Sequence, residues 1–545
     1  MPIETPYSKL QALIVDDMAV QQTTLRGQLA MLGIGKVDHA LNADDALRLV
    51  RSKPYGLILC DYNLNHRTDG QQFFEHLREN NLLAPDCLFF MVTAENAYAS
   101  VASATEHCPD AYLLKPITAA DIEGRLKAQL ERRRVFAPVH ARMARRDLPA
   151  AVLECDTLLA RKDRWFVQAL QLKGQLLLQL GRHEDAKTVF LAALSQRSQL
   201  VWAQLGLARA HKATGAYEEA KLVAYDIINS KDGEKNLAAY DVVAEALEAQ
   251  GDAKGAQWVL RDAAAVVPSA RRLRLVAESA YRNGDLEAAH ECLAKVTKAT
   301  RGSMSAQPQD TLALAQTLVD RGQCGEAAAL LDEAAHGQRS NPQFEPVALA
   351  IKAQGLSKAG DADGAAKLMA RARETLRTAK ADFATVALAK AELMAGDEAA
   401  GLKLMQTAVA SDHENPRVKQ WIANALQDTG HGDKIGQVVD AAAAGLDSRV
   451  SEAKAMFRNH RIDDALSLIE SAVREYPENT GVLLQAAQMN CLSLRLKKQL
   501  NAGVVEKVRL YLARLEKLMP ASDRMTQMQR YYRETVGSLS AQAQA

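Results

Sequence analysis

Residues 57–63 read LILCDYN, a short apolar run that ends at an aspartate. Similar runs in the first 134 residues are ALIV at 12–15, LFFMV at 88–92, AYLL at 111–114 and a weaker one near Val37. Amphipathic stretches such as residues 43–51 and 70–79 separate them. Uninterrupted apolar strands that alternate with helices are typical of a parallel sheet covered on both faces. The pattern predicts a doubly wound α/β domain with a five-stranded parallel sheet over residues 1–134.

Polar side chains follow four of these runs. Asp16 and Asp17 follow the first, and the others end in Asp61, Thr93 and Lys115. The carboxyl ends of parallel strands share one edge of the sheet, where ligands bind. Carboxylates brought together repel one another, a cost that a bound Mg²⁺ offsets, and one of them can then attack a phosphoryl group. Lys115 and the Thr93 hydroxyl would neutralise and hydrogen-bond the phosphoryl oxygens.

Each of these residues also has an ordinary structural interpretation. The pair Asp16 and Asp17 alone would suit a solvated turn or a helix N-cap. Lys115 followed by Pro116 is a common way for a strand to end, and Tyr112 alone would be a half-buried strand residue. A reactive site is favoured because all of these polar residues occur together and in order at the ends of successive strands. They are Asp16, Asp17, Asp61, Thr93 and Lys115.

This order of motifs resembles the receiver domain of two-component response regulators. The resemblance covers about residues 8–134 and rests on LIVDD at 13–17, LILCDYN at 57–63, MVTAE at 91–95 and AYLLKP at 111–116. It implies a flavodoxin-like (CheY-like) fold, a requirement for Mg²⁺, and a sensor histidine kinase or phosphotransfer protein as the phosphoryl donor. Asp61 would be the phosphoacceptor, with Thr93 and Lys115 as its catalytic partners.

The resemblance also implies finer roles. Asp17, Asp61 and the backbone carbonyl of Asn63 would bind Mg²⁺, and Asp16 would act through water. The switch residues would be Thr93 and Tyr112. Asn63 and Glu95 form a combination similar to that of the chemotaxis receivers, which implies rapid loss of the phosphoryl group.

A different pattern fills the rest of the chain: one motif recurs nine times, as in LLQLGRHEDAKTVF and AYRNGDLEAAHECL. Its turn residues are Gly181, Gly215, Gly251, Gly284, Gly322, Gly360, Gly396, Gly430 and His460, at successive spacings of 34, 36, 33, 38, 38, 36, 34 and 30 residues. A small residue stands seven before every turn and, except at Ile435, five after it. Small residues let two helices approach closely, and glycine ends the first of them.

A period near 34 with a glycine turn resembles the tetratricopeptide repeat (TPR). We therefore expect an α-solenoid over residues 167–480 with about nine units, preceded by a connecting or degenerate helix pair at 135–166 and followed by capping helices with a polar face at 481–545. The helix that ends at Arg132–Arg134 would lead directly into the array.

The TPR resemblance implies that first helices line a groove for a protein or peptide. The groove residues predicted for the second to fourth units are Trp202, Arg209, Lys212, Asp241, Glu245, Glu248, Arg271 and Arg274. The run Arg271, Arg272 and Arg274 is also compatible with a merely solvated face, and Trp202 with simple packing.

Composition narrows the function classes. The chain has 545 residues, too many for one core, with 96 alanines and only 5% aromatics, which suits closely packed helices. The 67 basic side chains balance 66 acidic ones, so no DNA or anionic-membrane partner is expected. Seven scattered cysteines are interpreted as reduced core residues without a metal. The start lacks a signal peptide pattern and no long apolar run occurs, which predicts a cytoplasmic protein.

We expect a response regulator in which phosphorylation of Asp61 modulates protein binding by the TPR scaffold, and not an enzyme beyond its own phosphorylation and dephosphorylation. One alternative is a phosphate sink or relay protein whose repeats only localise it. An enzyme hidden in the C-terminal part is disfavoured because no P-loop, nucleophile elbow or zinc motif occurs there. A transcription factor is disfavoured because no separate helix-turn-helix unit or net basic domain follows the first domain.

Overall fold

The computed structural model describes residues 7–64, 68–80, 82–84, 86–94, 109–145, 147–230, 233, 235–335, 337, 341, 344–375, 383–411, 416–518 and 523–544. The chain divides into two compact units. One comprises Met1–Gly174, Ala186–Val276 and Ala294–Gln307, and the other comprises Gln175–Asp185, Ala277–Leu293 and Pro308–Ala545. None of the described helices is long and apolar enough to span a bilayer.

The N-terminal domain is built on one parallel sheet. Its strands are β1 Gln11–Val15, β2 Lys36–Ala40, β3 Leu57–Asp61, β4 Leu88–Thr93 and β5 Ala111–Leu114. Their order is β2-β1-β3-β4-β5. The described helices of this domain are α1 Ala19–Met31, α2 Ala43–Ser52, α3 Gly70–Glu79 and α4 Ala119–Ala144. The predicted doubly wound five-stranded sheet is confirmed.

Two apolar clusters cover the two faces of this sheet. Leu25, Leu29, Ile122 and Leu126 of α1 and α4 pack on one face. Ala43, Phe73, Phe74 and Leu77 of α2 and α3 pack on the other. Strands β3 and β4 are buried along their whole length, which explains why they read as continuous apolar runs.

The sequence predicted that helix α4 ends at Arg134. In the structure it continues to Ala144, with Pro138 inside it. Its two halves have different surroundings: Ile122 and Leu126 belong to the sheet core, whereas Phe136 contacts Trp165 edge to face, with ring centroids 6.2 Å apart. The next helix is α5 Leu148–Ala160, which pairs with the end of α4. The predicted domain boundary at residue 134 therefore lies inside one continuous helix.

A helical array follows. Its helices are α6 Phe166–Gln179, α7 His183–Gln196, α8 Val201–Ala213, α9 Tyr217–Ile228, α10 Leu237–Ala249, α11 Ala253–Val266, α12 Ala270–Arg282, α13 Leu286–Thr300, α14 Pro308–Asp320, α15 Cys324–Ala335, α16 Phe344–Lys358, α17 Ala362–Thr375, α18 Phe383–Met394, α19 Glu398–Ser411, α20 Pro416–Asp428, α21 Ala441–Arg458, α22 Ile462–Glu475, α23 Thr480–Lys497, α24 Ala502–Leu518 and α25 Asp523–Gln544. All eight predicted turn glycines have positive φ, and so does His460 at 59°. The repeat pattern is confirmed.

The phased small residues lie where neighbouring helices touch. Ala208, Ala315 and Ala389 are fully buried. At Gly174 an added Cβ would lie 2.4 Å from the Phe190 ring, closer than real side chains approach. The small residues therefore set the distance between the helices of a pair.

The eighth unit departs from the pattern. After Gly430 the chain forms a 3₁₀ turn at Gly432–Lys434 and a π turn at Gly436–Asp440, and it then continues directly into α21. The expected second helix is replaced by these turns, and the spacing from Gly430 to His460, 30 residues, is the shortest in the array. Ile435, the exception to the small-residue rule, lies in this segment.

The predicted C-terminal helices are present, but the expected polar face is wrong for the first of them. In α23 the residues Val482, Leu483, Ala486 and Ala487 are buried. They form a core with α22, α24 and Met528 of α25. This segment therefore extends the hydrophobic core of the array.

The described cysteines are free thiols. Cys60, Cys87, Cys155 and Cys491 are buried, whereas Cys292 and Cys324 are half-buried. None of them belongs to a group of converging metal-ligand side chains. Cys108 lies outside the described residues.

Candidate functional site

The predicted site residues meet at the carboxyl edge of the sheet. Register places Val15 beside Cys60, Asp61 beside Val92, and Thr93 beside Leu114. Strand β1 lies between β2 and β3, so the chain reverses its winding direction at β1. Open parallel sheets bind ligands at such a point.

Three carboxylates converge there. Asp16, Asp17 and Asp61 each offer an oxygen, and these atoms lie within 4.8 Å of one another. Asp16 is fully buried, Asp61 is 8% exposed and Asp17 is half-buried. The Asp16 backbone is fixed by Gln22, whose side chain donates to the carbonyls of Asp16 and Ala40 at 2.7 and 2.9 Å. Gln22 was not predicted, and a glutamine in the first turn of a helix gave no signal of its role.

Lys115 supplies the opposing charge. Its Nζ lies 2.8 Å from Asp61 Oδ2 and 3.3 Å from Asp16 Oδ2. Burial raises the pKa of the Asp61 carboxyl above its usual value, and the nearby Lys115 opposes that shift. Burial lowers the pKa of Lys115, but Asp61 and Asp16 outweigh it, so the pKa is raised.

The backbone around Asp61 is closely packed. The Tyr62 amide donates to the Val92 carbonyl, and the Gly70 amide donates to the Tyr62 carbonyl, both at 2.8 Å. A Cβ at Gly70 would lie 2.0 Å from the Asp61 carbonyl oxygen, so only glycine fits. Asp69 caps α3 in a reciprocal capping box with Gln72. An aspartate three residues before a glutamine is the sequence pattern of such a capping box.

The remaining predicted side chains have these positions. Thr93 ends β4 and is 2% exposed. Tyr112 is half-buried in β5 and packs against the core on the α2 and α3 face. Asn63 is exposed, and its backbone amide hydrogen-bonds the Asp61 carboxylate. Glu95 lies outside the described residues.

The charge and geometry of this edge fit Mg²⁺. Three carboxylates and one ammonium carry a net charge of −2, and Asp16 and Asp61 are too buried for water to screen their repulsion fully. Mg²⁺ prefers one or two carboxylates together with waters and phosphate oxygens. Asn63, whose backbone amide hydrogen-bonds the Asp61 carboxylate, is exposed, so this side of the cluster faces solvent.

The family described as the response regulator receiver domain matches residues 12–127. This span holds the sheet and the converging side chains at its edge. Residues 12–127 form a response regulator receiver domain. The family described as the tetratricopeptide repeat matches residues 167–199, which hold the helix pair α6 and α7. The following helices repeat this pair, so a TPR-like solenoid follows the receiver domain.

Three curated proteins are similar to the receiver end of the chain. A probable chemotaxis protein CheY of Rhizobium etli is 26% identical over 120 residues, which cover 22% of this chain and 92% of the relative. Chemotaxis protein CheY-3 of Vibrio cholerae is 26% identical over 127 residues, 23% of this chain and 93% of the relative. The alkaline phosphatase synthesis transcriptional regulatory protein PhoP of Bacillus subtilis is 27% identical over 178 residues, 32% of this chain and 72% of the relative.

Two solved structures show a weak likeness. The MamA RS-1 ArsTM double mutant covers 31% of this chain and 93% of its own, at 20% identity and a TM-score of 0.26. Naa15/Naa10 bound to HypK-THB covers 68% of each chain, at 12% identity and a TM-score of 0.32. Scores this low do not establish a common fold.

Several of the predicted groove residues of the TPR array pair across neighbouring first helices. Lys212 of α8 forms an ion pair with Glu245 of α10. Asp241 of α10 pairs with Arg272 of α12, with Asp241 Oδ2 3.0 Å from Arg272 Nη2. The interpretation of the arginine run as a solvated face is wrong for Arg272, which is 2% exposed.

The other predicted groove residues differ in their surroundings. Arg209 and Arg271 are exposed. Arg274 donates to the Ser305 carbonyl at 2.5 Å. Trp202 is half-buried and meets Phe190 edge to face, with ring centroids 6.3 Å apart, so it has a packing role. Glu248 lies on α10 and has a partner.

A buried polar network on later first helices was not predicted. Lys390 of α18 is 2% exposed, and its Nζ lies 2.7 Å from Asp320 of α14 and 3.3 Å from Asp428 of α20. The Tyr281 hydroxyl of α12 donates to Asp320 at 2.7 Å, and burial raises the pKa of Tyr281 well above its usual value. A lysine within the apolar run of α18 was the available signal. Lys390 and Asp320 are therefore satisfied within the protein, whereas the Asp428 side chain is 50% exposed.

Proposed function

We propose that the protein is a cytoplasmic response regulator of a phosphorelay, in which the state of Asp61 modulates protein binding by the TPR array. The observation that carries this proposal is the convergence of Asp16, Asp17, Asp61 and Lys115 at the switch point of a receiver sheet. The phosphoryl donor would be a sensor histidine kinase or a phosphotransfer protein.

The transfer step follows from the chemistry of these side chains. A carboxylate oxygen of Asp61 attacks the phosphorus of a phosphohistidine, and the P–N bond breaks with its electron pair returning to the imidazole nitrogen. The product is an acyl phosphate on Asp61. The Lys115 ammonium lies 2.8 Å from Asp61 in the structure, close enough to form an ion pair with the phosphoryl oxygens after transfer. The buried Thr93 hydroxyl at the end of the neighbouring strand is the proposed further donor.

Asp17, Asp61 and the backbone carbonyl of Asn63 would hold Mg²⁺, with Asp16 acting through water. The ion would supply charge neutralisation at the phosphoryl oxygens. The chain itself is proposed to catalyse only the phosphorylation and dephosphorylation of Asp61. Asn63 at the open side of the cluster is exposed, which supports the access of water that rapid dephosphorylation requires.

The proposed partner surface of the array is the set of first helices α8, α10 and α12. Their charges alternate in sign along neighbouring helices, and the guanidinium of Arg209 on α8 is exposed. A partner with acidic side chains matches this position. Asp61, α8, α10 and residues 270–276 of α12 lie in the same compact unit.

The test is quantitative affinity capture with the full chain. Wild type, wild type with Mg²⁺ and beryllofluoride as phosphoryl analogue, and Asp61→Ala are compared for the proteins that they retain. We expect at least one protein whose retention changes with the analogue in wild type and not in Asp61→Ala. Arg209→Glu should reduce that retention, whereas Lys254→Glu, an exposed charge reversal on the second helix α11, should not.

Two outcomes would contradict the proposal. Failure of Asp61 to become labelled by any phosphohistidine donor would remove the phosphorelay role. Retention that ignores Asp61, together with fast phosphoryl transfer to and from it, would favour the phosphate sink or relay.

A further inference from the structure

The loop after the phosphoacceptor returns to its starting point. The chain leaves the end of β3 at Tyr62 and contacts it again at Gly70, whose amide donates to the Tyr62 carbonyl at 2.8 Å. A Cβ at Gly70 would lie 2.0 Å from the Asp61 carbonyl oxygen. The end of this loop is therefore packed against Asp61 itself, and it cannot move closer.

Thr68, two residues before that point, contacts a part of the chain 236 residues away. It is 4% exposed, and its Oγ1 accepts a hydrogen bond from the Met304 amide at 3.1 Å. The Met304 side chain packs against the receiver core on the α2 and α3 face. Met304 belongs to residues 301–307, which join α13 to α14 and are called the latch loop below.

The latch loop is fixed on its other side by the array. The carbonyl of Ser305, the residue after Met304, accepts a hydrogen bond from Arg274 of α12 at 2.5 Å. The loop also has internal order, because the Ser303 amide donates to the carbonyl of the buried Thr300 at 2.8 Å. Adjacent residues of one loop therefore contact the receiver domain and a first helix of the proposed partner surface.

We propose that the latch loop holds the array to the unphosphorylated receiver domain and that a phosphoryl group on Asp61 weakens this contact. This inference rests on the proposed function and names the element that carries its regulation. In the structure the Asp61 carboxylate accepts from Lys115 and from the Asn63 amide, which is the arrangement of the unmodified side chain.

The direction follows from the space around Asp61. A phosphoryl group adds about 1.5 to 2 negative charges and needs hydrogen-bond donors of its own. It competes for the Asn63 amide, the first residue of the loop. Gly70 has no room to move toward Asp61, so the displacement would fall on Thr68.

Linkage gives a second consequence. If the phosphoryl group weakens the latch, then breaking the latch must strengthen binding of a phosphoryl analogue by the same factor. One neutral hydrogen bond contributes about 0.5–1.5 kcal/mol, which corresponds to about a two- to tenfold change in affinity. Release of the latch should also break the hydrogen bond between Arg274 and the Ser305 carbonyl and so alter the surface of α12.

Hydrogen exchange of the full chain tests this directly, because the Met304 amide is the donor of the latch bond. Thr68→Val keeps the shape of the side chain and removes the acceptor. We expect the Met304 amide to exchange about two to ten times faster in Thr68→Val than in wild type. Mg²⁺ with beryllofluoride should accelerate the same amide in wild type and not in Asp61→Ala.

Affinity for beryllofluoride, measured by titration in Mg²⁺, is the second readout. Thr68→Val and Met304→Ala should both bind it about two to ten times more tightly. Thr24→Val is the matched control, since its exposed hydroxyl bonds only within α1. Met304→Ala lies in a surface loop and keeps the test available if Thr68→Val does not fold.

Either of two results would overturn the latch. One is equal exchange of Met304 in wild type and Thr68→Val. The other is beryllofluoride binding that protects the receiver domain but leaves residues 301–307 unchanged. Neither result would contradict the proposed function, because the affinity-capture test does not depend on the latch contact. If beryllofluoride opens the latch but changes the retention of no captured protein, the latch proposal stands and the proposed regulation of partner binding is wrong.

Discussion

Two lysines with similar partners lie in environments of different exposure. Lys115 and Lys390 each lie between two aspartates. The Lys115 side chain is 21% exposed and stands at the open edge of a sheet, so a ligand can reach it. That of Lys390 is 2% exposed, and it compensates the charge of the buried Asp320 carboxylate. Exposure, and not charge pairing, distinguishes the surroundings of the two lysines.

The assignment of Asp61 as phosphoacceptor predicts that replacing one of its carboxylate oxygens by an amide nitrogen prevents phosphorylation. Asp61→Asn should abolish labelling of the full chain by a phosphohistidine donor, because the amide is not a nucleophile. The matched control is Asp38→Asn in β2, whose carboxylate bonds Tyr55 and Lys53 away from the site and whose labelling should match wild type. Labelling is measured as phosphoryl groups per chain, and residual labelling of Asp61→Asn at the wild-type level would contradict the assignment.

The buried network predicts a large loss of stability. Lys390→Met leaves Asp320 buried without its cation, at a cost of about 3–5 kcal/mol in the free energy of unfolding. Lys352→Met is the control, since its partner Asp332 is 73% exposed, and it should cost about 0–1 kcal/mol. Urea unfolding followed by circular dichroism compares the two variants. Equal losses of unfolding free energy in the two variants would show that the network does not depend on the charge of Lys390.

At the scale of elements, small residues decide how closely helices pack. Gly174 of α6 and Gly206 of α8 both face the Phe190 ring at distances that exclude a Cβ. The eighth unit shows the opposite case, where Ile435 replaces the small residue and the second helix gives way to 3₁₀ and π turns. Small residues therefore permit the regular helix pair.

Two glycine substitutions should have opposite signs. Gly174→Ala places a methyl group 2.4 Å from Phe190 and should destabilise the array by about 1–3 kcal/mol through overpacking. Gly124→Ala lies in the exposed middle of α4 with nothing near its Cβ and should stabilise by about 0.5–1 kcal/mol. Thermal and urea unfolding measure both. A neutral Gly174→Ala would mean that the helix pair tolerates a wider spacing.

At the scale of the whole molecule, the receiver domain is joined to the array by structure and not by a flexible linker. Helix α4 runs from the sheet core into contact with Trp165, and the latch loop adds a second connection within the same compact unit. A rigid helix and a loop contact are the elements through which the state of one domain can bias the other.

The division of α4 predicts which fragment folds. Residues 1–134 keep Ile122 and Leu126, which complete the sheet core, so this fragment should fold and become labelled at Asp61 at least as well as the full chain. Residues 1–117 lose both side chains, each worth about 1.5–3 kcal/mol of burial, and should be unfolded by circular dichroism. An unfolded 1–134 beside a folded 1–144 would move the domain boundary to the end of α4.

The sequence by itself determined the local features: strands that end in Asp61 and Lys115, turn glycines at positive φ, and small residues at the helix contacts. These depend on side-chain periodicity and backbone conformation over a few residues, which the local sequence encodes. Only the tertiary structure decided that Lys390 meets Asp320 and that Thr68 meets Met304. Such pairs depend on the path of the whole array, which accumulates from small rotations between successive helices that no local motif specifies.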